Sequence, residues 1–164
     1  MADAEVPQEL RDAVRGLEGL VGTVVSDMTD SHARWELYRA SLASDDARPF
    51  LLAAVVAEPD GVLASAVVGE VLELVPRADR QSWVGALAPA VRAFSERRAR
   101  ELGILEDLRS GAEVPTFGPE LLGGWSDWLQ LRIVAEVPDA PVLRILAESG
   151  RTKRIRRAAA GALG

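Results

Sequence analysis

The sequence predicts an all-α fold, and three observations carry that prediction. Apolar residues recur at steps of three and four almost everywhere along the 164 residues, the spacing that lines one face of an α-helix. No stretch alternates apolar and polar residues as a half-buried strand does. Proline, aspartate and glycine fall together at intervals, where one helix ends and the next begins.

The elements follow in order. Leu10, Val14, Leu17, Val21, Val24 and Met28 share one face of a first helix, and Pro7 stands in its first turn, where a missing N–H costs nothing. Asp30 or Ser31 caps a second helix with Trp35, Tyr38 and Leu42 inward, since a short polar side chain accepts from the free N–H groups of a helix start. That helix stops in Ser44-Asp45-Asp46, and Pro49 opens a third with Phe50, Leu51, Ala54 and Val55 inward. After the Pro59-Asp60-Gly61 turn, a fourth helix carries Val62, Leu63, Ala66, Val67, Val71, Leu74 and Val75 and ends at Pro76. It is apolar on most of its circumference, the pattern of a central buried helix. From Asp79 to Leu108, the inward residues are Trp83, Leu87, Val91, Phe94, Leu102, Leu105 and Leu108. Pro89 interrupts this segment, which is two short helices or one kinked helix.

Residues 110–119 (SGAEVPTFGP) are irregular, and Gly123-Gly124 breaks the chain again. A helix capped by Ser126 then runs through Trp128, Leu131, Val134 and Ala135. Another starts near Asp139 with Pro141 in its first turn, carries Val142, Leu143, Ile145 and Leu146, and closes at Gly150 in a left-handed conformation. Thr152 caps the last, with Ile155, Ala159, Ala162 and Leu163. This length fits a single helical domain: N-terminal helices in 1–109, an irregular connector in 110–125 and repeat-like helices in 126–164.

Composition narrows the chemistry. With no cysteine and one histidine, disulfides, thiolate metal sites, cysteine catalysis and histidine-cluster metal sites are all excluded. The chain shows no Gly-x-Ser-x-Gly elbow, phosphate-cradling glycine loop or His-Glu-x-x-His motif. The first residues carry two acids and no apolar run, so no secretory signal is expected. The most apolar stretch, Phe50 to Val75, is cut by Glu58-Pro59-Asp60 and by Glu70, leaving runs far short of the roughly 20 residues of a membrane span. A cytoplasmic chain with no membrane partner is expected, and no cofactor is implied.

Two stretches read alike. Val55-Val56-Ala57-Glu58-Pro59-Asp60-Gly61-Val62-Leu63 matches Ile133-Val134-Ala135-Glu136-Val137-Pro138-Asp139-Ala140-Pro141-Val142-Leu143 with two inserted residues. Each is a helix end, a Pro-Asp turn and the next helix, so the pair reads as an internal repeat or as a chance likeness between Ala/Val-rich helices. Trp128-Leu-Gln-Leu-Arg132-Ile-Val-Ala-Glu136, Pro138-Asp-Ala-Pro141-Val-Leu143, Leu146-Ala-Glu and Arg151 to Ala160 together resemble bacterial HEAT-like and leucine-rich-variant repeats. The resemblance covers about residues 126–164 and implies a short right-handed stack of helix pairs, an α-α superhelix used for protein–protein contact. Pro89 departs from regular repeat spacing, and the alternative fold is an irregular helical bundle.

Four places are candidates for a function. Trp125, Asp127, Trp128 and Arg132 cluster at one helix start. They either line a concave pocket, similar in residue types to that of HEAT-like DNA glycosylases, or are a core tryptophan, a helix-start acid and a solvated arginine. Arg151, Lys153, Arg154, Arg156 and Arg157 form a basic strip: residues 1–150 carry 14 basic and 25 acidic groups, net −11, while residues 151–164 carry five basic and none acidic, net +5. Such a strip faces solvent and pairs with neighbouring acids, or touches an acidic protein, or binds phosphates. The acidic remainder and the lack of interleaved aromatics disfavour nucleic acid. His32, the lone histidine, sits beside Asp30 at a helix start and reads as an exposed residue. Trp35, Tyr38 and Trp83 would cover a small-molecule cavity or, more simply, fill the core. The expected function is a non-enzymatic protein–protein interaction or scaffold module, with another protein or a second copy of the chain as partner. A nucleic-acid-binding, glycosylase-like protein is the alternative.

Overall fold

The computed structural model describes residues 5–111 and 118–164. Among the described residues there are ten α-helices and no strand, as the helical spacing requires. None of these helices is long and apolar enough to cross a membrane. The chain divides into two compact units, Met1–Ala99 and Arg100–Gly164.

The first unit contains α1 (Gln8–Val21), α2 (Ser31–Ser41), α3 (Arg48–Ala57), α4 (Gly61–Leu74) and α5 (Arg80–Ala86), and α6 (Ala93–Arg109) starts in it. Helix α1 packs on α2 and α3, α2 packs on α4, and α4 packs on α5. Leu10, Leu17, Leu37, Leu51, Val67, Val71 and Leu72 are fully buried between them, each worth roughly 1.5–3 kcal/mol relative to exposure. Helix α1 is shorter than its apolar spacing predicts. Gly22 takes a left-handed φ of 73° and donates its N–H to the Glu18 carbonyl at 2.9 Å, closing the helix one residue after Val21. Val24 is therefore exposed and Met28 lies in a turn. Pro7 is the residue before the helix rather than inside its first turn.

Asp30 caps α2 as expected, accepting from the His32 N–H. The buried face of that helix is Arg34, Leu37, Tyr38 and Ser41, so the inward face is one residue away from the predicted Trp35, and Trp35 is only half-buried. Phe50 is also partly exposed. Its ring lies across α1 at Gly16, where a Cβ would stand 2.3 Å from Phe50 Cδ1. Pro89 forms a single 3-10 turn, Pro89–Val91, between two separate helices, α5 and α6. Of the two readings of that segment, the pair of helices holds.

The second unit takes the rest of α6, then α7 (Pro119–Leu122), α8 (Asp127–Glu136), α9 (Ala140–Ser149) and α10 (Lys153–Leu163). Helix α7 falls inside the segment expected to be irregular, whose residues 112–117 lie outside the described ones. Helix α10 packs on α8 and α9, around Leu105, Leu122, Trp125, Leu129, Ile133, Leu146 and Ile155. Both predicted caps form, with Ser126 accepting from Leu129 N–H and Thr152 from Ile155 N–H, and Asp139, near which α9 is expected to start, caps it by accepting from Val142 N–H. Gly150 ends α9, but at φ −54° rather than in the left-handed region. Its glycine is required by space instead, since a Cβ there would meet the Leu146 carbonyl at 2.5 Å and Ile155 Cγ2 at 2.8 Å.

Candidate interaction site

Helix α4, whose largely apolar circumference predicts a central buried helix, exposes one face. Leu63, Ala64, Val67, Val68, Val71 and Leu72 form its inner face. The opposite face, Val62, Ala66, Gly69, Glu70 and Glu73, is turned outward, with Val62 79% exposed. With 3.6 residues per turn, Val62, Ala66, Gly69 and Glu73 follow one another along a single line of the helix. This face is the floor of a groove of about 660 Å³ whose remaining lining includes Trp35, Val91, Phe94 and Arg98. Phe94, predicted inward, is 58% exposed. The Arg98 guanidinium lies 5.2 Å from the centre of its ring, within cation–π range. Small floor residues leave the space above them open, and at Gly61 a Cβ would press on Val91 Cγ1 at 3.2 Å. A second apolar hollow, of about 640 Å³, lies among Pro7, Pro49, Leu52, Ala53 and Val56.

Beside the groove's Trp35, one turn of α2 carries a buried ionic network that the sequence did not single out. Arg34 and Glu58 meet through two bonds, Nη2 to Oε1 at 2.7 Å and Nε to Oε2 at 3.0 Å. Their side chains are 4% and 0% exposed. Arg34 Nη1 also donates to the Met28 carbonyl at 2.6 Å, Tyr38 donates its hydroxyl to Glu58 Oε2 at 2.8 Å, and the Asp60 N–H donates to Glu58 Oε1 at 3.1 Å. Burial, joined by the charge of Glu58 and the hydrogen bond to it, pushes the Tyr38 phenol well above its ordinary pKa. Burial alone would lower the Arg34 pKa, but the Glu58 carboxylate outweighs it and raises it. In the preceding loop, the Thr29 hydroxyl and then its N–H hold the Asp27 carboxyl below its usual value. Every strong group of the Arg34 network is consumed internally, so it fixes the loop, α2 and the α3–α4 turn relative to one another. It does not face a ligand.

The sequence-predicted sites are placed as follows. Trp125 is in the core of the second unit, and its carbonyl accepts from the buried Gln130 amide. Trp128 is half-buried, with the Arg132 guanidinium 5.0 Å from the centre of its ring. Arg132 Nε is bound to Glu136 Oε1 at 2.8 Å, and Glu136 is also paired with Arg109. Asp127 lies about 140° round the helix from Arg132 and meets Arg151 at 3.5 Å. The four residues are thus divided between the core, a tryptophan–arginine stack and a surface ion pair. Of the basic strip, Arg156 turns back to donate to the Gly150 carbonyl at 2.7 Å. Lys153, Arg154 and Arg157 are exposed. His32 is exposed, and only its backbone N–H meets Asp30. Tyr38 and Trp83 are core residues. Among the described residues, no group of three acidic or histidine side chains is placed to hold a metal ion.

Comparisons with protein-family models, curated proteins and solved structures found no match to this chain. The class the fold defines is an all-helical chain of two units, and the first unit carries an open groove over α4.

Proposed function

We propose that this chain is a non-enzymatic interaction module, built from HEAT-like helix pairs, that receives another polypeptide in the α4 groove. The observation that carries the reading is the outward apolar line of α4, set between Trp35 and Phe94. Exposed apolar surface of this kind is costly in water and is characteristic of contact sites, and aromatic walls are where binding energy concentrates. The helix-pair reading is supported by the two Pro-Asp turns. Asp60 accepts from the N–H groups of Val62 and Leu63 at the start of α4, and Asp139 accepts from Val142 N–H at the start of α9. The same local construction appears once in each unit. No catalytic role is assigned to any residue, and the cytoplasm remains the expected compartment.

The test uses paired baits in quantitative affinity capture from the native cell: the wild-type chain and the double variant V62E/F94E. Both substitutions fall on exposed positions, so the helices should persist by circular dichroism. A protein retained by the wild type and reduced tenfold or more on the variant, a loss of about 1.4 kcal/mol or more, supports the groove as the contact site. Equal capture by both baits rejects it.

A further inference from the structure

We propose that the groove over α4 is filled by helix α10 of a second copy of this chain, packed antiparallel to α4. This rests on the interaction-module reading and names its occupant. The outward line of α4 runs Val62, Ala66, Gly69, Glu73, with Glu70 beside it. The outward line of α10 runs Lys153, Arg157, Ala160 and on to the cap residue Gly164, with Arg154 and Gly161 beside it. Both lines step by four, three and four residues, and both span about 16 Å at 1.5 Å per residue. Laid antiparallel, Lys153 falls opposite Glu73, Arg157 opposite Gly69 and its neighbour Glu70, Ala160 opposite Ala66, and Gly164 opposite Val62.

The chemistry agrees at each level of that register. The acidic end of α4 receives the basic end of α10, and this direction also sets the two helix dipoles head to tail. Glu70, Lys153, Arg154 and Arg157 make no ion pair with any described residue of their own chain. Where the charges end, both helices carry small residues, so their backbones can approach closely. The first unit, residues 1–99, holds 16 acidic and 10 basic groups, net −6, whereas α10 is the one segment with a strong positive excess. The groove also holds a cation of its own, Arg98, which lies against Phe94. Leu163, 39% exposed at the end of α10, adds apolar area at the Val62 end.

The contact joins two different surfaces, so it produces either a pair of chains that exchange their α10 helices or a longer run of copies. The experiment is light scattering and sedimentation of the full chain across concentration and salt. The expected result is a mass that rises above 17.6 kDa with concentration and falls back as salt screens the charges. The variants E70R/E73R and K153E/R157E, each alone, should weaken association tenfold or more, because like charges then face each other. Mixing the two variants in equal amounts should restore it, because each reversed face then meets its complement. A single-chain mass at every concentration in low salt overturns the inference, as does association that neither variant weakens or that mixing does not restore. A monomer whose V62E/F94E variant still loses a captured protein overturns this inference and leaves the module reading standing.

Discussion

In the first unit Glu58 accepts from three partners, Arg34, Tyr38 and the Asp60 N–H. Replacing it with alanine leaves Arg34 charged and buried with only the Met28 carbonyl, so Glu58→Ala should cost about 3–5 kcal/mol in urea unfolding. The double variant R34M/E58L should be less damaging than Glu58→Ala, because it removes the uncompensated charge and keeps the volume. Tyr38 offers a cleaner readout, since it is the sole tyrosine of the chain. Its folded pKa lies above the unfolded value of about 10, so the folded state holds its proton longer. The stability linked to Tyr38 is intact below about pH 10 and is lost as pH rises above that value. Phenolate absorbance should therefore stay silent past pH 10 while the helices persist and appear only with unfolding; an ordinary titration near pH 10 in the folded chain would refute the burial argument. Two glycines make opposite demands. Gly150→Ala forces a Cβ against the Leu146 carbonyl and should cost about 1–3 kcal/mol. Gly22→Ala meets no atom within 4 Å and should lose only the roughly 1–2 kcal/mol of left-handed backbone strain. Comparing their unfolding midpoints separates crowding from conformation.

At the scale of helices, the aspartates of the two matching turns set where α4 and α9 begin. Asp60→Ala and Asp139→Ala should each cost about 1 kcal/mol, read from the shift of the urea midpoint at constant slope. These starts were legible in the sequence because a cap is a local event: one side chain, two or three residues from the N–H it binds. The ends were less legible. The apolar spacing continues through Val24, so Gly22 looks like a tolerated helix residue until its positive φ is seen. Gly150 was expected to be left-handed from its position alone, while its real constraint is the packing of Ile155 and the Leu146 carbonyl, which no spacing reveals. The α4 groove was missed for a related reason. An all-round apolar helix reads as buried, but whether the Val62–Ala66–Gly69 side is covered depends on what packs there. The signal that was present is the smallness of Gly61, Ser65, Ala66 and Gly69 together with the two acids that follow them. The Arg34–Glu58 pair was out of reach because its partners are 24 residues apart and either alone looks like an ordinary surface charge.

For the whole molecule, the distribution of tryptophans separates the two units. Trp35 and Trp83 lie in the first, and Trp125 and Trp128 in the second. With W125F/W128F as background, fluorescence reports the first unit; with W35F/W83F, it reports the second. Glu58→Ala should shift the transition seen in the first background more than that seen in the second, because the core that loses its ion pair is local to residues 1–99. Equal shifts would show that the chain unfolds as one cooperative body. The charge layout belongs to this scale too. The net −6 of the chain hides an acidic first unit and a basic terminal helix, and that separation makes salt a probe of assembly as well as of stability.

The bond from the Asp60 N–H to the buried Glu58 carboxylate has a consequence in time. Amides in short Pro-Asp turns at a surface ordinarily trade hydrogen for deuterium within moments of contact with heavy water. This one donates to an oxygen that Arg34 also holds, so releasing it means pulling apart α2, the loop at Met28 and the α3–α4 turn together. Its exchange should therefore keep pace with the deepest amides of the first unit, and a turn three residues long becomes a clock for the opening of the whole unit.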